Sequence, residues 1–180
     1  MEIDEVLAGN AAFTATGRFQ GLRMMPRRQL LVIGCADPRV DPESVLGLEL
    51  GDAAVVRNIG GRVTPPTLAT LAGLATVGRL QMQASAGGPP MGSPGLDVVV
   101  LHHTDCGILR LAEDPNALAG FLGTDVEQVR AMHVGDPAAA IRHDVGVVRE
   151  TVPGIRVWGL VYDVATGRVE IMARPEEVAA

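Results

Sequence analysis

The chain has 180 residues, 47% of them apolar and 3% aromatic, and a formal net charge of −6. That length and apolar share suffice for one domain with a core built from Val, Leu, Ile, Ala and Met. The acidic balance argues against nucleic acid as a partner, and all 15 basic residues are Arg, which excludes Schiff-base and P-loop lysine chemistry.

The opening Met1-Glu2-Ile3-Asp4-Glu5 is acidic and unlike a secretory signal. No apolar run approaches the ~20 residues a membrane helix needs. The expectation is a soluble cytoplasmic protein without a membrane partner. In that reducing compartment its two Cys are ligands rather than a disulfide.

Residues 2–16 carry apolar side chains at helical spacing (Ile3, Val6, Leu7, Ala11, Phe13) and predict an N-terminal helix. A loop near 24–28 leads into a short buried strand at 29–34. Asp41-Pro42-Glu43 is a helix start, with Asp as cap and Pro in the first turn, and predicts a helix through Leu48. A second strand at 53–57 precedes Asn58-Ile59-Gly60-Gly61. Thr64-Pro65-Pro66 opens a helix to about residue 80. Residues 81–96, aperiodic and rich in Gly and Pro, read as a flexible loop at the sheet edge away from the Cys residues.

The third strand is predicted at 97–102, and the helical stretch after it contains Thr124-Asp125-Val126-Glu127, which resembles a capping box. Asp136-Pro137 opens a helix to about Thr151. Strands at 155–164 and Arg168–Ala173 flank the turn Ala165-Thr166-Gly167. Strands alternating with helices predict a single α/β domain over 1–180. Its central sheet is mainly parallel, about four strands plus an extra edge strand, flanked by helices.

Each Cys lies in a cluster of metal-binding residue types just after an apolar strand. The first cluster is Cys35-Ala36-Asp37-Pro38-Arg39, and the second is His102-His103-Thr104-Asp105-Cys106-Gly107. A lone Cys after a strand is ordinarily a small buried residue. Two such clusters, on strands that end side by side, instead bring two thiolates, an imidazole and a carboxylate to one point. That donor set suits a tetrahedral zinc held by Cys35, His103 and Cys106, one ion per chain. The fourth position falls to Asp37, to water, or to the two in exchange, which marks a catalytic rather than a structural metal. Arg39, two residues from Asp37, can hold the carboxylate off the metal so that Asp37 accepts a hydrogen bond from the attacking water. Two thiolates on the metal predict activity that rises toward alkaline pH. His102, His133 and His143 are candidates for carrying the proton away, with His102 expected to point into the structure.

The ordered motifs Cys-x-Asp-x-Arg and His-x-x-Cys resemble those of the β-class carbonic anhydrases. Arg57-Asn58 followed by Gly60-Gly61 resembles the same family's loop after its second strand, and Leu101 to Gly107 resembles small actinobacterial members. The resemblance spans most of 29–164. It implies the family's fold and a homodimer or higher homo-oligomer, with the N-terminal helix laid across a partner. It also implies zinc-dependent hydration of CO2 to bicarbonate and a proton, with Asp37 and Arg39 as a gating pair. Hydrolysis of carbonyl sulfide or carbon disulfide, or a non-enzymatic zinc-binding dimer, are the alternatives. The chain carries Glu49 where plant-type members have a substrate-contacting Gln, and Val32 where bicarbonate-inhibited members have a Trp.

Overall fold

The computed structural model describes residues 2–84 and 96–175. Five strands, β1 (Leu30–Cys35), β2 (Ala53–Asn58), β3 (Asp97–His103), β4 (Arg156–Asp163) and β5 (Arg168–Ala173), form one sheet in the order β2-β1-β3-β4-β5. The first four are mutually parallel and β5 runs antiparallel along β4. The chain leaves β1 toward β2 and then returns across β1 to β3. The crevice at the C-terminal ends of β1 and β3 is therefore the place where the winding reverses, where open α/β sheets bind ligands.

β1 and β3 are apolar and buried almost throughout, because both faces of the central sheet are covered. On one face Leu31, Ile33, Val98, Val100, Val157 and Val161 pack with α3 (Pro65–Ala84) and α7 (Pro137–Thr151). On the other, Val32, Val99 and Leu101 meet Val40 and the short helix α2 (Pro42–Val45). Asp41 caps α2 by accepting from the Ser44 N–H at 3.0 Å, and Asp136 caps α7 through the N–H groups of Ala138 and Ala139. In both, Pro fills the first helical position, where its missing N–H costs nothing. Trp158 anchors the start of the β3–β4 seam, its indole N–H donating to Asp97 at 3.1 Å.

Several boundaries differ from expectation. β1 and β3 each run one residue further, so Cys35 and His103 are the last residues of their strands. α2 stops at Val45 instead of Leu48, because Gly47 adopts a positive φ of 63°. α3 continues to Ala84, so 81–84 are helical and not loop; 85–95, the rest of the expected loop, lie outside the described residues. The stretch after β3 divides into α4 (Ile108–Leu111), α5 (Pro115–Leu122), α6 (Val126–Val129) and a 3-10 turn at Arg130–Met132. Asp114-Pro115 starts α5 with the same chemistry as the other two Asp-Pro helices. The cap of α6 is Asp125 rather than Thr124; Thr124 instead donates its hydroxyl to the Gln128 side chain at 2.6 Å. The N-terminal helix α1 (Ile3–Ala15) forms as predicted, but none of its residues is buried within the protomer.

Among the described residues, one arginine–carboxylate pair is buried on both sides. Arg62, just before α3, is 2% exposed, and Asp144 on α7 is fully buried. Arg62 Nε and Nη2 donate to Asp144 Oδ2 and Oδ1 at 2.7 and 2.9 Å, and the Val63 N–H adds a third bond at 3.1 Å. His143 Nδ1 lies 3.0 Å from Oδ1. His102 Nε2 is 3.3 Å from Oδ2 without hydrogen-bond geometry. Burial alone would raise the Asp144 carboxyl; His102, His143 and Arg62 hold it far below the ordinary carboxylate range. Such a depressed group adds stability above its unfolded pKa of about 4, and loses it as pH falls below that value. Asp144→Asn leaves Arg62 charged and buried and is expected to cost about 3–5 kcal/mol. Urea denaturation from neutral pH to about pH 3 should show the wild-type advantage shrinking as acid is added; an equal advantage at all pH values would remove Asp144 as its source.

Candidate metal centre

Parallel pairing of β1 with β3 sets the ends of the two strands side by side. β1 delivers Cys35 and β3 delivers His103, while the turn after β3 brings back Cys106. That turn is pinned where the Thr104 N–H donates to the Tyr162 carbonyl and the Val164 N–H donates to the Thr104 hydroxyl. The two sulfurs stand 3.8 Å apart, and the three ligand atoms of Cys35, His103 and Cys106 all lie within 4.8 Å of one another. Two thiolates on a tetrahedral ion with ~2.3 Å bonds are separated by roughly 3.8 Å, so the sulfur spacing fits.

The imidazole supplies a second test of fit. His103 Nδ1 is 2.8 Å from the Thr104 carbonyl, which can only accept, so Nδ1 carries the proton. Nε2 is left as a buried lone pair with no hydrogen-bond partner among the described residues. A buried acceptor without a partner is costly, and a metal ion satisfies it.

The charge around the cluster is arranged for a cation. Cys35 is buried at the end of its strand, and its sulfur accepts the N–H groups of Gly60 at 3.2 Å and Asp37 at 3.4 Å. The contact with Cys106 pulls the Cys35 thiol down against the opposing effect of burial. That same contact, and burial, push Cys106 up. Burial, the largest single influence, lowers His103, but Cys35, the Thr104 carbonyl and Asp37 together raise it. One negative sulfur therefore stands ready beside the free Nε2 lone pair, and an entering metal has only the Cys106 thiol proton to displace.

Asp37 follows Cys35 by two residues and faces the same space. Arg39 grips it with Nε on Oδ1 at 3.1 Å and Nη2 on Oδ2 at 2.8 Å, and the Arg39 backbone N–H adds 2.9 Å to Oδ1. These bonds hold the carboxyl at about 2 although burial opposes them. Its Oδ2 stays 4.0 Å from His103 Nε2, close to the cluster but held by the guanidinium. Arg57 braces the loop from behind, donating to the carbonyls of Cys35 and Asp37, both at 2.8 Å.

Gly60 and Gly61 let the turn after β2 approach this closely. A side chain on Gly61 would put Cβ 2.9 Å from the Leu101 carbonyl and 3.0 Å from the Cys35 nitrogen, and its φ of 64° is left-handed. Backbone cannot yield as a side-chain tip can. Gly61→Ala is therefore expected to destabilise by at least about 2 kcal/mol. A urea midpoint equal to wild type would show that the turn moves freely.

All five expected site residues, Cys35, Asp37, Arg39, His103 and Cys106, thus meet at one crevice. The other histidines do not join them. His102 is buried on the sheet face toward Asp144, His133 is exposed, and His143 is tied to Asp144. Glu49 is exposed and paired with Arg27 at 2.9 Å, and Val32 is sealed in the core. Sequence reasoning missed the bracing by Arg57, the Gly60 N–H on Cys35, and Asp105, which binds Arg39. Asp105 lay inside the quoted motif, whereas the bond from Gly60 has no sequence signal.

A family model described as carbonic anhydrase matches residues 30–134. Beta-carbonic anhydrase 1 of Mycobacterium tuberculosis is 30% identical over 171 residues, covering 92% of this chain and 94% of that protein. A carbon disulfide hydrolase of Saccharolobus solfataricus is 32% identical over 87 residues, covering 48% of this chain and 35% of that protein. Among solved structures, a carbonic anhydrase from Streptococcus mutans matches with a TM-score of 0.66 at 28% identity, over 96% of this chain and 99% of that one. Matched along nearly its whole length and carrying the cysteine, histidine and aspartate–arginine motifs in order, the chain belongs to the β-carbonic anhydrase family.

Proposed function

We propose that the protein hydrates CO2 reversibly to bicarbonate and a proton at one zinc ion held by Cys35, His103 and Cys106. CO2 hydration is the reaction of its family. The observation that carries the assignment to these residues is the unpartnered Nε2 of His103, set among two sulfurs and a carboxylate that Arg39 holds 4.0 Å away. Bound there, zinc supplies the Lewis acidity that makes water nucleophilic near neutral pH. The chain's own groups do the rest. The Thr104 carbonyl keeps the proton on Nδ1, so Nε2 faces the crevice as a free lone pair. The N–H groups of Gly60 and Asp37 stabilise the Cys35 thiolate. Ionised Asp37 accepts a hydrogen bond from the attacking water and aims its lone pair, and Arg39 fixes the carboxylate for that task. An ion that only braced the fold would need no carboxylate held back in this way, which speaks against a purely structural zinc protein.

The likeness to a carbon disulfide hydrolase favours a second reading, hydrolysis of carbon disulfide or carbonyl sulfide by the same residues. Carbonyl sulfide differs from CO2 by one atom, so discrimination by pocket shape alone is modest. We also propose a homodimer or higher homo-oligomer. α1 exposes Ile3, Val6 and Leu7, and α3 exposes Val77 and Leu80, which leaves two apolar helix faces uncovered in the protomer. One domain over 1–180 and a cytoplasmic location complete the reading. They are supported by the single sheet with its shared core and by the two cysteines outside any disulfide. No described helix is long and apolar enough to cross a membrane.

Zinc-loaded protein is expected to hold one ion per chain, and Cys106→Ser to lose most of it; full retention by elemental analysis would sink the ligand set. Asp37→Asn should keep zinc and lose roughly a hundredfold in stopped-flow CO2 hydration. Arg39→Ala should also lose turnover, by freeing Asp37 to cap the metal. Wild-type rates in both variants would remove the pair from the mechanism. Sulfide release from carbonyl sulfide, measured on the same preparation with negligible CO2 turnover, would move the protein to the second reading.

A further inference from the structure

Arg39 carries more than its bonds to Asp37. The guanidinium Nη1 donates to Asp105 Oδ2 at 2.8 Å, and Nη2 donates to the Asp105 backbone carbonyl at 2.9 Å. Asp37 occupies the Nε–Nη2 edge of the fork. The Asp105 carboxylate takes Nη1, so the two acids bracket the guanidinium instead of competing for one edge. Arg39 and Asp105 belong to different loops, 66 residues apart, one after β1 and one after β3. Asp105 has φ of 53°, a left-handed backbone that Asp and Asn tolerate better than most residues. It is not a member of the Cys-His-Cys cluster.

We propose that Asp105 is a positioning residue for the reaction, which locks Arg39 in the orientation that keeps Asp37 off the metal. The proposal rests on the gating role of Asp37 and Arg39 argued above. The need for an anchor is physical. Arg39 is half exposed, and a long exposed side chain has many rotamers available. A second attachment on the far side of the fork removes most of them without touching the metal ligands. The Asp105 side chain is itself largely exposed, so its bond is individually weak. What it contributes is orientation, and because Asp105 lies next to Cys106 it ties the gate to the loop that carries a ligand.

Asp105→Asn keeps the backbone preference and shape but removes the charge; Asp105→Gly keeps the positive φ and removes the side chain. Both variants should retain zinc. Each is expected to lower kcat/KM for CO2 hydration roughly three- to tenfold. Solvent exchange of the Arg39 Nε–H, followed by nitrogen-15 NMR of the zinc-loaded protein, should accelerate by a similar factor. In an Arg39→Ala background, Asp105→Asn should change turnover no further, which a merely structural role would not produce. Unchanged Nε–H exchange, unchanged turnover, or an equal loss in the Arg39→Ala background would each overturn the proposal. Should zinc-loaded wild type hydrate no CO2 at all, the functional reading fails on its own, while the exchange rates still decide whether Asp105 anchors Arg39.

Discussion

The buried pair of Arg62 and Asp144 is the interaction around which the rest of the structure is arranged. Asp144 projects from α7 into the interior and receives a guanidinium fork and a backbone N–H from the turn after β2. Arg62 in turn donates to the Met132 carbonyl at 2.9 Å, tying in the segment between α6 and α7. The same turn is closed by Asn58, whose amide donates to the Arg62 carbonyl at 2.7 Å and accepts the Arg62 N–H at 2.8 Å. Gly60 sits inside that ring and points its N–H at the Cys35 sulfur. A charge on a helix thereby sets the environment of a thiolate on a strand. Desolvating two ions is unfavourable, and the pair persists because each partner is held by several bonds with good geometry.

The fold was legible where the signal is local. β1 and β3 are continuous apolar runs, and Asp41-Pro42 and Asp136-Pro137 announce two helices through chemistry confined to three or four residues. Asp114-Pro115 carries the same signal for α5 but lies inside a stretch whose pattern reads as one longer helix. Boundaries drifted where tertiary pairing decides them: the last residues of β1 and β3 are strand because each has a neighbouring strand to pair with, Asn58 for Cys35 and Tyr162 for His103.

The candidate site was legible for a different reason. Its ligands come in two short motifs, each of which follows a strand that sequence alone identifies. Parallel order then does the assembly. What could not be read are contacts spanning long stretches of chain. Arg57 behind Cys35 and Asp105 beside Arg39 depend on how loops lie in space. Asp144 left one trace: it is an acid within the stripe of Ile141, Val145 and Val148 that α7 buries, and a charge in an apolar stripe calls for a partner.

The β3–β4 seam has a spectroscopic consequence. Trp158 is the chain's one tryptophan and Tyr162 its one tyrosine, and both lie on β4. Trp158 is tethered to Asp97 where β3 begins, and Tyr162 pairs with His103 where β3 ends. The two chromophores therefore sit four residues apart on one strand, about 13 Å at the usual rise per residue. Indole emission reports the entry side of the sheet, and phenol absorption reports the side that carries the crevice. Energy transfer from phenol to indole measures the integrity of the strand between them. Loosening at the crevice can thus be distinguished by intrinsic fluorescence from opening of the whole sheet, with no label introduced.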